Sequence, residues 1–274
     1  MPRPKIVTFT SDYGLEDEFV GVCRGVMLNI APELKVVDVH HNVLRQDVRH
    51  GAVVLEQSID YLPVATHLAV VDPGVGSNRK AVAIVSSSGS VFVGPDNGLL
   101  LPAAESRGAR VEAAYELANE SFLLTPISQT FQGRDIFAPA AAHVADGVDP
   151  KELGPVVAPA DLVRLEMPEA WVHDDHLHGE VLQVDRFGNL QFNFDRTHLA
   201  KVGLHDRSRL EVRMEGHRLQ VTFGSTFAEV DNGEFVLIED SYGKVSLAVN
   251  KGDAGAKLRA RSRSTVIVGP ALGE

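Results

Sequence analysis

Residues 6–39 read IVTFTSDYGLEDEFVGVCRGVMLNIAPELKVVDV, and the fold is decided there. Ile6–Thr10 is rich in β-branched and aromatic residues, which suit a pleated, half-buried backbone. S-D-Y-G follows as a turn. From about Asp17 to Ile30, Phe19, Val22, Val26 and Ile30 recur at helical spacing and share one face. Pro32 ends that helix, and Leu34–Val39 is a second strand. Strand, helix and strand in this order predict a mostly parallel sheet covered on both faces.

The alternation continues downstream. Asp47–Leu62 reads as a helix stopped before Pro63, and His67–Val71 as a strand ending at Asp72. Ala81–Ser86 and Val91–Val93 form a hairpin around S-S-S-G-S, followed by P-D-N-G and a short helix through Ala104. Ala138–Ala145 is a further helix, closed by Asp146 and Gly147. In open sheets of this kind ligands bind beyond the carboxyl ends of the strands. Asp12, Asp72 and Asp96 each stand at such an end, so a shared polar pocket is expected.

Residues 154–172, GPVVAPADLVRLEMPEAWV, carry Pro155, Pro159 and Pro168 and read as a linker between a domain over 1–153 and one over 173–274. Beyond it the pattern changes to short β-type runs: Gly179–Val184, Leu190–Phe194, Arg209–Met214, His217–Thr222, Glu234–Glu239 and Val245–Val249. Turn signals such as F-G-N, E-G, N-G and Y-G separate them, which fits a small antiparallel barrel or sandwich.

Composition narrows the function. Lys+Arg is 26 against Asp+Glu 37, a formal net charge of -11. An acidic chain without a basic stripe is a poor nucleic-acid binder. No apolar run reaches the ~18 residues a membrane span needs, and MPRPKIVTFTSDYG has no apolar signal-peptide core, so a cytoplasmic protein is expected. The single cysteine, Cys23, sits in an apolar pattern and is expected to be buried and inert.

Several motifs invite chemistry. D-P-G-V-G-S-N-R, residues 72–79, frees backbone amides at its glycines but lacks the P-loop and dinucleotide patterns. H-D-D-H-L-H, residues 173–178, offers metal ligands yet resembles a solvated loop, so no metal site is expected. His40 and His41 follow a strand and stay ambiguous. Asp12 lies in a strand-to-helix loop and Asp17 at the first helical turn; Asp17 either caps that helix or joins Asp12 in facing a ligand.

Taken together, T-S-D-Y-G-L-E-D-E-F-V-G (10–21), V-V-D-P-G-V-G-S-N-R (70–79), G-P-D-N-G-L-L (94–100) and T-F-Q-G-R-D-I-F-A-P-A-A-A-H (130–143) resemble the S-adenosyl-L-methionine hydroxide adenosyltransferases, relatives of the fluorinase and chlorinase. The likeness continues at V-D-R-F-G-N (184–189), S-T-F-A-E-V (225–230) and D-S-Y-G-K-V-S-L-A-V-N (240–250). The resemblance implies an N-terminal α/β sandwich domain with a mostly parallel sheet and a C-terminal antiparallel β-barrel domain. It implies hydrolysis of S-adenosylmethionine to adenosine and methionine without a cofactor. It also implies a homotrimer whose sites lie between one subunit's N-domain and its neighbour's C-domain. By the same resemblance, Asp12 holds the ribose hydroxyls, while Asp17, Asp185 and Ser241 grip the methionine end. Phe187, Asn189 and Phe227 form the adenine site, bordered by Val249–Lys251 with Asn250 at its centre. The fluorinase has arginine where this chain has Tyr242.

The implied chemistry is displacement at ribose C5′. The leaving group is a neutral thioether departing from a sulfonium and needs no general acid. Bulk water, with a pKa near ~15.7, is a poor nucleophile, so the site must hold one in line with the C5′–S bond. In the family an Asp, an Arg and a His do this. Asp72 and Arg79 match the first two, but the T-F-H-G-R-D histidine is Gln132 here. Glutamine orients a water but exchanges no proton. A lost general base costs ~10²–10⁴-fold; a lost orienting group costs less. A slower but real hydrolase is the expectation, with a binding protein without turnover as the alternative. Halogenation is disfavoured, because the Asp72 carboxylate repels a halide.

Overall fold

The computed structural model describes residues 4–271. The chain divides into two compact units, Met1–Glu166 and Met167–Glu274, and the division falls inside the proline-rich stretch.

The first unit is built on a seven-stranded sheet. Its strands are β1 (Ile6–Ser11), β2 (Lys35–His40), β3 (Thr66–Val70), β4 (Ala81–Ser86), β5 (Val91–Pro95), β6 (Val111–Glu116) and β7 (Val156–Val157), in the order β2-β1-β3-β5-β4-β6-β7. The first four strands of that order run parallel, and β4, β6 and β7 add antiparallel pairs. The helices are α1 (Phe19–Ile30), α2 (Val48–Ile59), α3 (Leu101–Ala104) and α4 (Ala138–Asp146).

Alternation along the strands splits the apolar residues between two cores. Val7, Phe9, Leu68, Val70, Val91 and Val93 pack with Val20, Cys23 and Met27 of α1 and the alanines of α4. Ala69, Val82, Ile84 and Phe92 pack with Ala52 and Leu55 of α2 and with α3. The sheet is therefore covered on both faces, as strands buried on both sides require. Cys23 is fully buried, and burial pushes its thiol up to about 12.

Two expectations need correction in this unit. The aspartates at strand ends are not all in one pocket: Asp96 Oδ1 accepts from Val163 N at 2.9 Å and serves the chain's own backbone. The proline-rich stretch is not wholly irregular either, because β7 within it pairs with β6.

The second unit is a closed barrel of seven strands: β9 (His176–Val184), β10 (Leu190–Phe192), β11 (Arg209–Met214), β12 (His217–Phe223), β13 (Phe235–Glu239), β14 (Val245–Val249) and β15 (Thr265–Pro270). Pairing of β10 with both β14 and β9 closes it. All pairs are antiparallel except β12 with β13. Leu177, Val181, Phe192, Phe194, Val212 and Leu247 fill the interior. The strand β8 (Trp171–His173) hairpins onto β9 through Asp174 and Asp175, both at positive φ. H-D-D-H-L-H is thus a strand pair and not a loop. Among the described residues no group of three or more His, Cys, Asp or Glu could hold a metal, and no helix is long and apolar enough to cross a membrane.

Candidate active site

The carboxyl ends of β1 and β3 lie side by side, with Ser11 opposite Val70. Asp12 leaves β1 there. Its Oδ2 accepts from Gln46 N at 2.8 Å, and burial raises its pKa above the ordinary carboxylate value. The loop bearing Asp12 is pinned by His41. His41 Nδ1 and Ser11 Oγ share a hydrogen bond of 2.8 Å, and His41 O accepts from Gly14 N at 2.7 Å. Burial lowers the imidazole to about 4, so it stays neutral near pH 7. Its Nε2 lies 3.1 Å from Asp38 Oδ1 but makes no hydrogen bond there, so we read this as proximity and not an ion pair.

Asp17 is placed differently from expectation. It is exposed and precedes α1, whose N-cap is Glu18, with no side chain capping the helix. A capping role is therefore excluded.

Beyond β3, Asp72 and Arg79 close a tight loop on each other. Arg79 Nε donates to Asp72 Oδ1 at 2.9 Å and to Oδ2 at 3.0 Å, and Nη2 donates to Oδ2 as well. Their side chains are only 6% and 12% exposed. The guanidinium also stands over the Phe137 ring, 5.1 Å from its centroid. Arg79 Nη2 reaches further and donates to Gln132 Oε1. A guanidinium has no acceptor, so the amide oxygen must face it. Gln132 Nε2 is left as a donor on the other side. Gln132 itself is buried and opens a single π-helical turn, Gly133–Phe137, that runs into α4. Such turns recur at functional sites, and a helix N-terminus favours negative charge beside it. The three residues expected to handle water are therefore joined: a carboxylate, a guanidinium and an amide in one hydrogen-bonded row.

The second unit carries its own cleft of about 900 Å³ with largely apolar walls. Asp185, Phe187, Asn189, Phe227 and Ser241 line it, together with Tyr242 and Lys251. The β9–β10 turn presents the first three. Asp185 Oδ1 accepts from Phe187 N at 2.8 Å and Asn189 N at 2.9 Å. Asp185 Oδ2 takes Asn189 Nδ2 at 2.7 Å, which leaves Asn189 Oδ1 as the acceptor facing outward. Phe187 is 76% exposed and Phe227 41%, aromatic faces without a ring partner among the described residues. Such exposed rings suit stacking on a planar ligand.

Below them runs a row that sequence reasoning missed. Gln183 Nε2 donates to Gln191 Oε1 at 3.1 Å, and Gln191 Nε2 to Asp240 Oδ2 at 2.6 Å. Asp240 Oδ1 accepts from Tyr242 N and Lys244 N at 2.8 and 3.0 Å, which shapes the turn holding Ser241. The signal that could have revealed it is one glutamine on each of two adjacent strands, Gln183 on β9 and Gln191 on β10, which pair across the ladder.

Asn250 does not line the cleft. Its Nδ2 donates to Val230 O at 2.7 Å, and its carbonyl accepts from Gly233 N at 2.8 Å, so it ties down the neighbouring loop. Its neighbours Val249 and Lys251 do line the cleft.

Fold and sites together define a two-part protein: an α/β unit with a polar cluster at its strand ends, and a small barrel with an aromatic cleft. Residues 7–154 match the SAM hydroxide adenosyltransferase N-terminal domain, and residues 179–267 match the SAM hydroxide adenosyltransferase C-terminal domain. The chain belongs to that family. A Salinispora tropica protein named (R)-S-adenosyl-L-methionine hydrolase is 46% identical over 253 residues, covering 92% of this chain and 93% of its own. A fluorinase from Actinoplanes sp. is more distant, 29% identical over 290 residues and covering 96% and 97%. Among solved structures, an uncharacterized conserved protein from Thermotoga maritima superposes with a TM-score of 0.89 at 33% identity, covering 96% of this chain and 99% of that one.

Proposed function

We propose that this protein hydrolyses S-adenosyl-L-methionine, in the (R)-sulfonium form for which its relatives are named, to adenosine and L-methionine. The observation that carries the proposal is the joined row Asp72–Arg79–Gln132 at the strand ends of a chain from this family. Water attacks ribose C5′. The C5′–O bond forms as the C5′–S bond breaks, and the electron pair leaves with sulfur as a neutral thioether. The water's proton passes to Asp72 and on to solvent.

Each residue in this scheme has a chemical reason. Arg79 holds Asp72 by a bidentate contact, a fixed geometry that keeps the carboxylate aimed. Gln132 accepts with its oxygen from the same Nη2 that donates to Asp72, and offers Nε2 to the water. Asp72 is then the acceptor that the glutamine cannot be. Asp12 pairs with ribose hydroxyls, and Asp17, Asp185 and Ser241 bind the methionine end. Phe187 and Phe227 stack on adenine, and Asn189 Oδ1 accepts from its amino group. No cofactor or metal enters the scheme.

The working form is a homotrimer, with the first unit of one copy completing the barrel cleft of a neighbour. Exposed apolar residues on the strand-end loops, Leu15, Leu44 and Val75, and exposed rings on the cleft support such burial. The protein works in the cytoplasm, where this substrate is made. The test is incubation of the purified protein with each sulfonium epimer and chromatography of the products. Adenosine and methionine in equal amounts from the (R)-form are expected. Saturable binding without either product would make the chain a binding protein.

A further inference from the structure

Position 133 is glycine for a steric reason that lies 120 residues away. A Cβ on Gly133 would stand 2.0 Å from Tyr13 Oη and 3.0 Å from Tyr13 Cζ. The phenol is thus pressed onto the backbone beside Gln132, at the opening of the π-helical turn. It is held there by three rings: Phe9 at 6.4 Å, Phe19 at 5.8 Å and Phe131 at 5.9 Å between centroids. Burial, with the carboxylates of Asp12 and Asp72 adding to it and Arg79 opposing, keeps the phenol protonated far above the ordinary range. Tyr13 N donates to Ser11 Oγ at 3.4 Å, but the hydroxyl makes no hydrogen bond among the described residues. Tyr13 is only partly buried and its oxygen is not one of the buried atoms left without a partner, so water reaches it there.

We propose that Tyr13 is a further catalytic residue, its Oη accepting the second hydrogen of the attacking water. The inference rests on the hydrolytic reading above. A water has four tetrahedral directions. In attack, one lone pair must face C5′. Gln132 Nε2 donates to the other, and Asp72 accepts the hydrogen that will leave. The last hydrogen needs an acceptor, or the water is free to rotate about the remaining contacts. Tyr13 Oη supplies it, and the ring packing supplies the rigidity. The bonds made and broken are those of hydrolysis; the hydrogen on Tyr13 stays with the product hydroxyl.

Tyr13→Phe removes the oxygen and keeps the ring. Steady-state adenosine formation from the (R)-form is measured for wild type, Tyr13→Phe, Gly133→Ala and the double variant, with thermal unfolding of each. In Tyr13→Phe, kcat should fall on the order of tenfold, the worth of one lost orienting hydrogen bond, with KM within about twofold and unfolding unchanged. Gly133→Ala should fall at least as far, because its Cβ displaces the hydroxyl. The double variant should be no worse than the poorer single one, a coupling that independent defects do not show. An active wild type with an equally active Tyr13→Phe overturns the role of Tyr13 alone. So does a Tyr13→Phe whose kcat, KM and unfolding temperature all shift together. A wild type that makes no adenosine overturns the hydrolytic reading and this inference with it.

Discussion

Replacing Asp72 by Asn separates the two things this carboxylate does. Its side chain is 6% exposed and holds Arg79, which is 12% exposed, through both oxygens. Asn keeps the shape and one acceptor oxygen but removes the charge. Breaking a buried pair by removing one partner costs about 3–5 kcal/mol. With one acceptor kept, about 3 kcal/mol is a fair expectation. For a unit of this size that lowers the midpoint of thermal unfolding by roughly 6–12 °C. The catalytic loss is separate. If Asp72 accepts the proton of the attacking water, its removal slows the chemical step by ~10²–10⁴-fold, equal to about 3–5 kcal/mol of barrier. Unfolding is followed by circular dichroism, and rates are measured by chromatography of adenosine at 25 °C, below both midpoints. The expected outcome is a low kcat, a KM within about threefold and a lowered midpoint. A variant that is less stable yet turns over at more than a third of the wild-type rate would refute the reasoning. Asp72 would then be only the partner that keeps its loop closed.

Other outcomes follow from the same geometry. Asn189→Ala removes the outward amide oxygen, and the affinity for adenosine should fall by about tenfold, one neutral hydrogen bond lost; an unchanged isotherm in calorimetry would remove Asn189 from the adenine site. Gln132→His places a titrating group beside Arg79, and kcat should gain a limb near pH 6–7 that the wild type lacks; identical pH profiles would contradict the placing of residue 132 against the attacking water. His67 is fully buried between Thr8 and Ser90, and burial lowers it to about 4. Its folded value lies below the unfolded one, so its contribution is complete above about pH 6.5 and is lost as pH falls toward 4. By pH 5 that is about 2 kcal/mol of stability, seen as an earlier urea midpoint; His67→Asn should flatten the dependence.

Local signals carried much of this architecture. The β1–α1–β2 segment is legible because alternation, helical spacing and Pro32 agree over a single short stretch. The joined row is legible in part: the six residues of a glycine-rich loop between them let Asp72 and Arg79 converge, and T-F-Q-G-R-D fixes the place of Gln132. What stayed hidden depends on distant partners. Asp17 belongs to the helix by spacing, yet α1 begins only at Phe19. Asn250 sits between two cleft-lining residues, but its amide is drawn to Val230 O across a loop. H-D-D-H-L-H reads as a loop because its turn places two aspartates at positive φ, where glycine or asparagine is usual. The contact of Tyr13 with Gly133 joins two motifs with no local trace of each other.

The most direct test of the account is hydrolysis of the (R)-form in water enriched in oxygen-18, with mass analysis of both products. The account predicts adenosine carrying one heavy oxygen at the 5′ position and methionine carrying none. Unlabelled adenosine would mean the C5′ oxygen came from elsewhere, and no adenosine at all would mean that the joined row binds without turning over; either result contradicts attack by water held at Asp72.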